Sequence, residues 1–153
     1  MIRATRKPAR FALHPQLARD SVVLGDLSLC RLLLMNDAQY PWFILVPRRA
    51  GIREIYDLPA ADQSRLLQES VRLSRVLMTA FKGEKLNIAA LGNMVPQLHL
   101  HHVVRFRADP SWPAPVWGRR LARPYSAAEM RERLAPLAGP LRRAGFKPKT
   151  ASW

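Results

Sequence analysis

The 153-residue sequence predicts an α+β domain built on a mostly antiparallel sheet. Two observations carry this. Five short apolar runs are bounded by turn residues, three before and two after one long segment of helical periodicity. A second helical segment, opened by a capping signature, follows the last run. Strands, one long helix, more strands and a final helix are the order of an α+β fold.

The elements follow in order. Residues 1–10 read as a basic, poorly ordered arm, and residues 11–153 as a single domain whose basic C-terminal extension begins at about 119. Ser21–Leu24 and Leu29–Met35 read as a hairpin around Gly25-Asp26. Asn36 to Pro41 breaks the pattern as a turn. Trp42–Val46 is a strongly β-prone strand stopped by Pro47. A long helix is capped by Asp57 or Leu58, with Pro59 at its first position, and ends at Gly83. Its inward stripe is expected to be Leu66, Leu67, Val71, Leu73, Leu77, Met78 and Phe81. Arg65, Gln68, Glu69, Arg72 and Arg75 are expected to face out.

Leu86–Leu91 is the fourth strand, Gly92–Pro96 a tight connection and Leu98–Phe106 the fifth strand. An aromatic, Pro-rich segment follows over 109–118. Ser126 with Glu129 matches a capping box. Met130, Leu134, Leu137 and Leu141 continue on one face, and Pro136 with Gly139-Pro140 makes this C-terminal helix short or kinked.

Composition narrows the class. Hydrophobic residues make up 48%, enough for a full core in one domain. The net charge of +14 is uneven: residues 1–19 contribute +5, 20–104 only +1, and 105–153 contribute +8. Basic ends favour anionic partners, so nucleic acid is a possible partner beside small nucleotides. Cys30, the only cysteine, sits in an apolar run and reads as core. The basic N-terminus lacks the apolar stretch of a signal peptide, and no apolar run approaches membrane-spanning length. A soluble cytoplasmic protein with no membrane partner is expected.

The informative segment is Gln97-Leu98-His99-Leu100-His101-His102-Val103. On a strand, residues two apart share a face. Gln97, His99 and His101 therefore project to one side, and Leu98 and Leu100 to the other. A regular strand puts His102 on the apolar side, as a core-edge histidine bonded to backbone. Two chemistries suit a paired His99/His101 face. In phosphoryl chemistry one imidazole attacks phosphorus while its neighbour assists at a phosphate oxygen. A zinc site is the alternative, but it needs a third ligand, and the sequence has no cluster with zinc spacing.

The stretch from Leu86 to His101, with Asn87 on its strand and Gly92 in its turn, resembles the signature region of the histidine triad (HIT) family. Phe43-Ile44-Leu45-Val46-Pro47 is also similar to a family strand ending in proline, and the long helix falls where the family places one. The resemblance covers roughly 11–118. It points to a bacterial HIT-like subgroup with Gln-x-His-x-His in place of the full triad. It implies a HIT-like α+β fold with a five-stranded sheet, a homodimer with a continuous sheet, and diadenosine-polyphosphate-hydrolase-like action on nucleotide phosphates without a cofactor. The enzyme would be a hydrolase or nucleotidyl transferase passing through a nucleotidyl-histidine; the alternative is a non-catalytic nucleotide or nucleic-acid binder.

By the same resemblance, His99 is the nucleophile and His101 contacts the phosphate and leaving group. Gln97 stands for the first triad histidine and offers its carbonyl to orient the nucleophile's ring. Asn87 supports the phosphate region, Gly92, Asn93 and Met94 contact phosphate, and Asn36 or Asp37 holds the ribose. Trp42 stands where the family often has a histidine, and Met94 where it often has a hydroxyl.

Overall fold

A computed structural model describes residues 10–149. The expected basic arm therefore lies, but for Arg10, outside the described residues. The elements are α1 (Pro15–Asp20), β1 (Ser21–Asp26), β2 (Cys30–Met35), β3 (Trp42–Pro47), α2 (Ala60–Phe81), β4 (Lys85–Ala89), β5 (Leu100–Arg105), α3 (Ala127–Leu134), α4 (Ala138–Arg143) and β6 (Lys147–Pro148). The fold class is α+β as expected. The strands form one antiparallel sheet in the order β4-β5-β3-β2-β1-β6, six strands rather than five.

The added strand, β6, is two residues long and pairs with Gly25 and Asp26. It carries no periodicity of its own. Its close approach depends on Gly25, where a Cβ would lie 2.2 Å from the Lys147 carbonyl oxygen. The other unexpected element, α1, is six residues long. His14 caps it, its Nδ1 accepting from the Gln16 N–H at 3.1 Å.

The sheet is covered on both faces. On one side Leu32, Leu34, Phe43, Leu45, Leu100 and Val104 pack against Leu66, Leu73 and Leu77 of α2 and against Leu134, Leu137 and Leu141. On the other, Leu33, Trp42, Ile44, Val46 and Val103 are covered by Leu17, Tyr40, Val95 and Val116. Every residue of β3 and β5 is buried, as two-sided cover requires.

Helix α2 corrects the expected stripe. Leu66, Glu69, Ser70, Leu73 and Leu77 are its buried residues, whereas Leu67 is 65% exposed and Val71 39%. A stripe advancing by three or four residues from Leu66 passes through 69, 70, 73 and 77, so Glu69 turns inward despite its charge. Its carboxylate accepts from the N–H groups of Leu29 (2.7 Å) and Cys30 (2.9 Å). Leu29 ends the turn between β1 and β2, and Cys30 opens β2.

The C-terminal helix is broken as expected. The Ser126/Glu129 capping box opens α3, and a 3₁₀ turn containing Pro136 separates it from α4. Among the described residues no helix is long and apolar enough to cross a membrane.

Candidate active site

His99 lies just before β5 and His101 within it; both face the side of Trp42 and Val103. They are 6% and 4% exposed, with ring centroids 4.8 Å apart and planes at 73°. The Nδ1–H of His99 donates to the Gln97 carbonyl at 2.7 Å, which leaves the Nε2 lone pair free. Burial lowers the His99 pKa; the Gln97 carbonyl opposes this, and nearby His14 adds to it. The ring is therefore neutral at pH 7 with a defined nucleophilic nitrogen.

His101 is fixed from the other side. The indole N–H of Trp42 donates to its Nδ1 at 2.9 Å. Burial, followed by the neighbouring His99 and His102, lowers the His101 pKa to about 3. Trp42 and Trp117 stand edge-on to the His101 ring, with centroids at 5.6 and 5.3 Å.

His102 points into the helix-side core, as strand alternation requires. Its Nδ1–H donates to the Leu100 carbonyl at 3.2 Å, so Nε2 accepts from the Ser70 hydroxyl at 2.7 Å. It is fully buried, and burial lowers its pKa to about 4 against the opposing Leu100 bond.

A cavity of about 270 Å³ brings His99 and His101 together with Gly92, Asn93 and Met94. Gly92 has φ +86°, which favours glycine in this turn. Its remaining walls include Leu17, Asp20, Ser21, Met35, Trp42 and Trp117. No periodicity marks the α1 contributors Leu17 and Asp20, because α1 is only six residues long. Trp117 was legible only as part of an aromatic, Pro-rich segment.

Other expected site residues lie elsewhere. The Gln97 side chain clasps the N-terminal segment: Oε1 accepts from the His14 N–H and Nε2 donates to the Ala12 carbonyl, both at 2.9 Å. Only its backbone carbonyl reaches His99. Asn87 is not in the cavity wall; its Oδ1 accepts from Arg105 at 2.8 Å. Arg105 is 1% exposed and also holds Asp109 and the Ala114 carbonyl, so it ties β4 to the segment that carries Trp117. Asn36 accepts from the Tyr125 N–H at 3.0 Å, and Asp37 from Gln39 and the Arg123 N–H. These two side chains bind the 123–125 segment, and neither lines the cavity.

Among the described residues no group of three or more His, Cys, Asp or Glu is placed to hold a metal ion. A larger cavity of about 610 Å³ lies by β1 and β6, away from the histidines. Its Arg31 and Arg48 are already engaged with Asp26 and with backbone carbonyls of 27–29.

Other proteins share this fold. The HIT domain model matches residues 16–108. A histidine triad protein from Marinobacter aquaeolei VT8 is 53% identical, with a TM-score of 0.86 over 88% of this chain and 98% of that one. One from Bradyrhizobium japonicum is 42% identical, TM-score 0.84, over 91% and 100%. One from Sinorhizobium meliloti 1021 is 44% identical, TM-score 0.82, over 84% and 96%. No functionally curated protein gives a significant match. With the domain match spanning more than half its length and three such relatives sharing its fold, this chain belongs to the histidine triad family.

Proposed function

We propose that the protein is a nucleotide phosphate hydrolase or nucleotidyl transferase that works through a nucleotidyl-His99 intermediate. The observation that carries this is the Nδ1–H···O=C bond from His99 to Gln97, which presents a neutral Nε2 lone pair to the cavity shared with His101. His99 Nε2 attacks the phosphorus in line, and His101 assists at a phosphate oxygen. Backbone N–H groups of the turn at Gly92, Asn93 and Met94 cradle the phosphate. Water then releases the nucleotide from His99.

Asn87 takes part indirectly in this scheme, by fixing Arg105. Asn36 and Asp37 receive no ribose contact, because the 123–125 segment occupies them. Gln97 acts through its carbonyl.

A homodimer belongs to the same proposal. Strand β4 is a sheet edge, and Ile88 on it is 48% exposed, paired across from His102. Ser70 bonds His102 from α2, so exposed Leu67 and Val71 flank the same edge. An apolar strip beside an unpaired strand suits a second copy that extends the sheet.

The test is turnover of a dinucleoside polyphosphate and a nucleoside phosphoramidate by wild type and His99→Ala. Loss of turnover by orders of magnitude, with trapping of a nucleotidyl-histidine in wild type, supports the reading. Equal trace rates in both proteins sink it.

A further inference from the structure

We infer that Trp42 is a positioning residue that locks His101 as the Nε2–H tautomer, and that the site consequently takes substrates whose leaving group departs as a stable anion. The substrate part rests on the nucleotidyl-histidine reading above; the tautomer part does not.

An indole N–H only donates. With Trp42 Nε1 at 2.9 Å, His101 Nδ1 must accept, so the single proton of the neutral ring sits on Nε2. The Trp42 ring cannot easily leave. It is 7% exposed on the central strand β3 and lies edge-on to Trp117 at 5.7 Å. Protonating His101 on Nδ1 would break its bond to Trp42 and place a cation beside His99, 4.8 Å away, in an apolar wall. Burial and the neighbouring His99 and His102 act in the same direction, and the ring stays neutral through the physiological range.

The chemistry follows from counting protons. In the first step the His99 Nε2 lone pair forms the N–P bond while the bond from phosphorus to the leaving group breaks, and the electron pair leaves with that group. His99 keeps its Nδ1 proton, so the intermediate is an imidazolium-like N-phosphoryl ring. His101 can donate a hydrogen bond from Nε2, but it cannot surrender that proton without becoming an imidazolate. The leaving group is therefore stabilised and not protonated by His101. A phosphate oxygen released from an anhydride meets this condition. An amine released from a phosphoramidate does not, because its nitrogen must gain a proton. In the second step water forms a P–O bond, the N–P pair returns to His99, and the surplus water proton goes to solvent.

The test compares two substrates sharing the adenylyl group, a dinucleoside polyphosphate and an adenylyl alkylamine phosphoramidate. The proteins are wild type, Trp42→Phe, and a protein carrying at position 42 the tryptophan isostere in which sulfur replaces the indole N–H. The isostere keeps the packing should Trp42→Phe unfold. Nitrogen-15 NMR of His101 reports which ring nitrogen carries the proton and where the ring titrates. Wild type is expected to show the proton on Nε2 with no titration above pH 5, and to favour the anhydride in kcat/KM by at least about 100-fold. The isostere keeps the burial that holds His101 neutral but removes the donor to Nδ1. The proton is expected to move onto Nδ1, the Nε2 donor is lost to the leaving group, and that preference falls at least about tenfold.

A proton on Nδ1 in wild type, or tautomer and preference unchanged in the isostere, overturns the lock. A wild-type preference for the phosphoramidate overturns the substrate assignment. An Nε2 proton with no turnover of either substrate overturns the nucleotidyl-transfer reading and the substrate class with it, while supporting the lock.

Discussion

The carboxylate of Glu69, in the middle of α2, accepts the backbone N–H of Cys30 at 2.9 Å and that of Leu29 at 2.7 Å. A charged side chain that is 3% exposed thus closes the turn between β1 and β2. Glu69→Ala leaves two buried donors unmet, each costing about 1–3 kcal/mol. Denaturant unfolding should show a loss of about 2–6 kcal/mol, with Glu69→Gln milder. A loss under 0.5 kcal/mol for Glu69→Ala would mean that the turn finds other acceptors.

Burial of neutral His102 makes stability depend on pH. Its pKa falls from the ordinary 6.5 to about 4 on folding. Between these values the unfolded chain binds a proton that the folded chain refuses. The contribution is therefore fully present above pH 6.5 and is lost as pH falls toward 4, on the order of 3 kcal/mol. His101 adds a loss in the same direction. Unfolding midpoints measured from pH 7.5 to 4.5 should decline, and His102→Asn should flatten the slope. An identical slope in that variant would rule out His102 as a source.

The same burial sets the acid limb of any activity. Protonation removes the His99 lone pair, so the rate falls as pH drops, and the lowered pKa puts that fall below the ordinary imidazole value of 6.5. A kcat/KM profile with its acid midpoint above 6.5 would contradict this.

Arg105 holds the aromatic segment in place through Asp109, Asn87 and the Ala114 carbonyl. Its side chain is 1% exposed and that of Asp109 5%. Arg105→Ala strands the Asp109 charge, and a loss of about 3–5 kcal/mol is expected in unfolding experiments. Trp117 fluorescence should report release of the segment. Near-wild-type stability would show that Asp109 is not held by this pair.

A charge on the exposed strip should prevent self-association. Val71→Glu and Ile88→Glu should sediment as monomers at concentrations where wild type is a dimer. A monomeric wild type would remove the dimer proposal.

Much of the site was legible in the sequence. The period-two pattern at 97–103 is enough to put His99 and His101 on one face and His102 on the other, because side chains of a strand must alternate. Ser126 and Glu129 marked a helix start because a capping box is local chemistry. What the sequence left undetermined depends on partners distant along the chain. Leu67 and Glu69 are two residues apart in one helix, and only the sheet's position decides that the leucine faces water while the glutamate faces the turn 40 residues away. β6 exists because Gly25 lets a backbone approach, not through any preference of Lys147-Pro148. Asn36 and Asp37 could be matched to a ribose by position, yet the 123–125 segment folds back onto them. Composition marks Trp42 as a strand residue. That its N–H meets His101, 59 residues later, is decided by the register of β3 against β5.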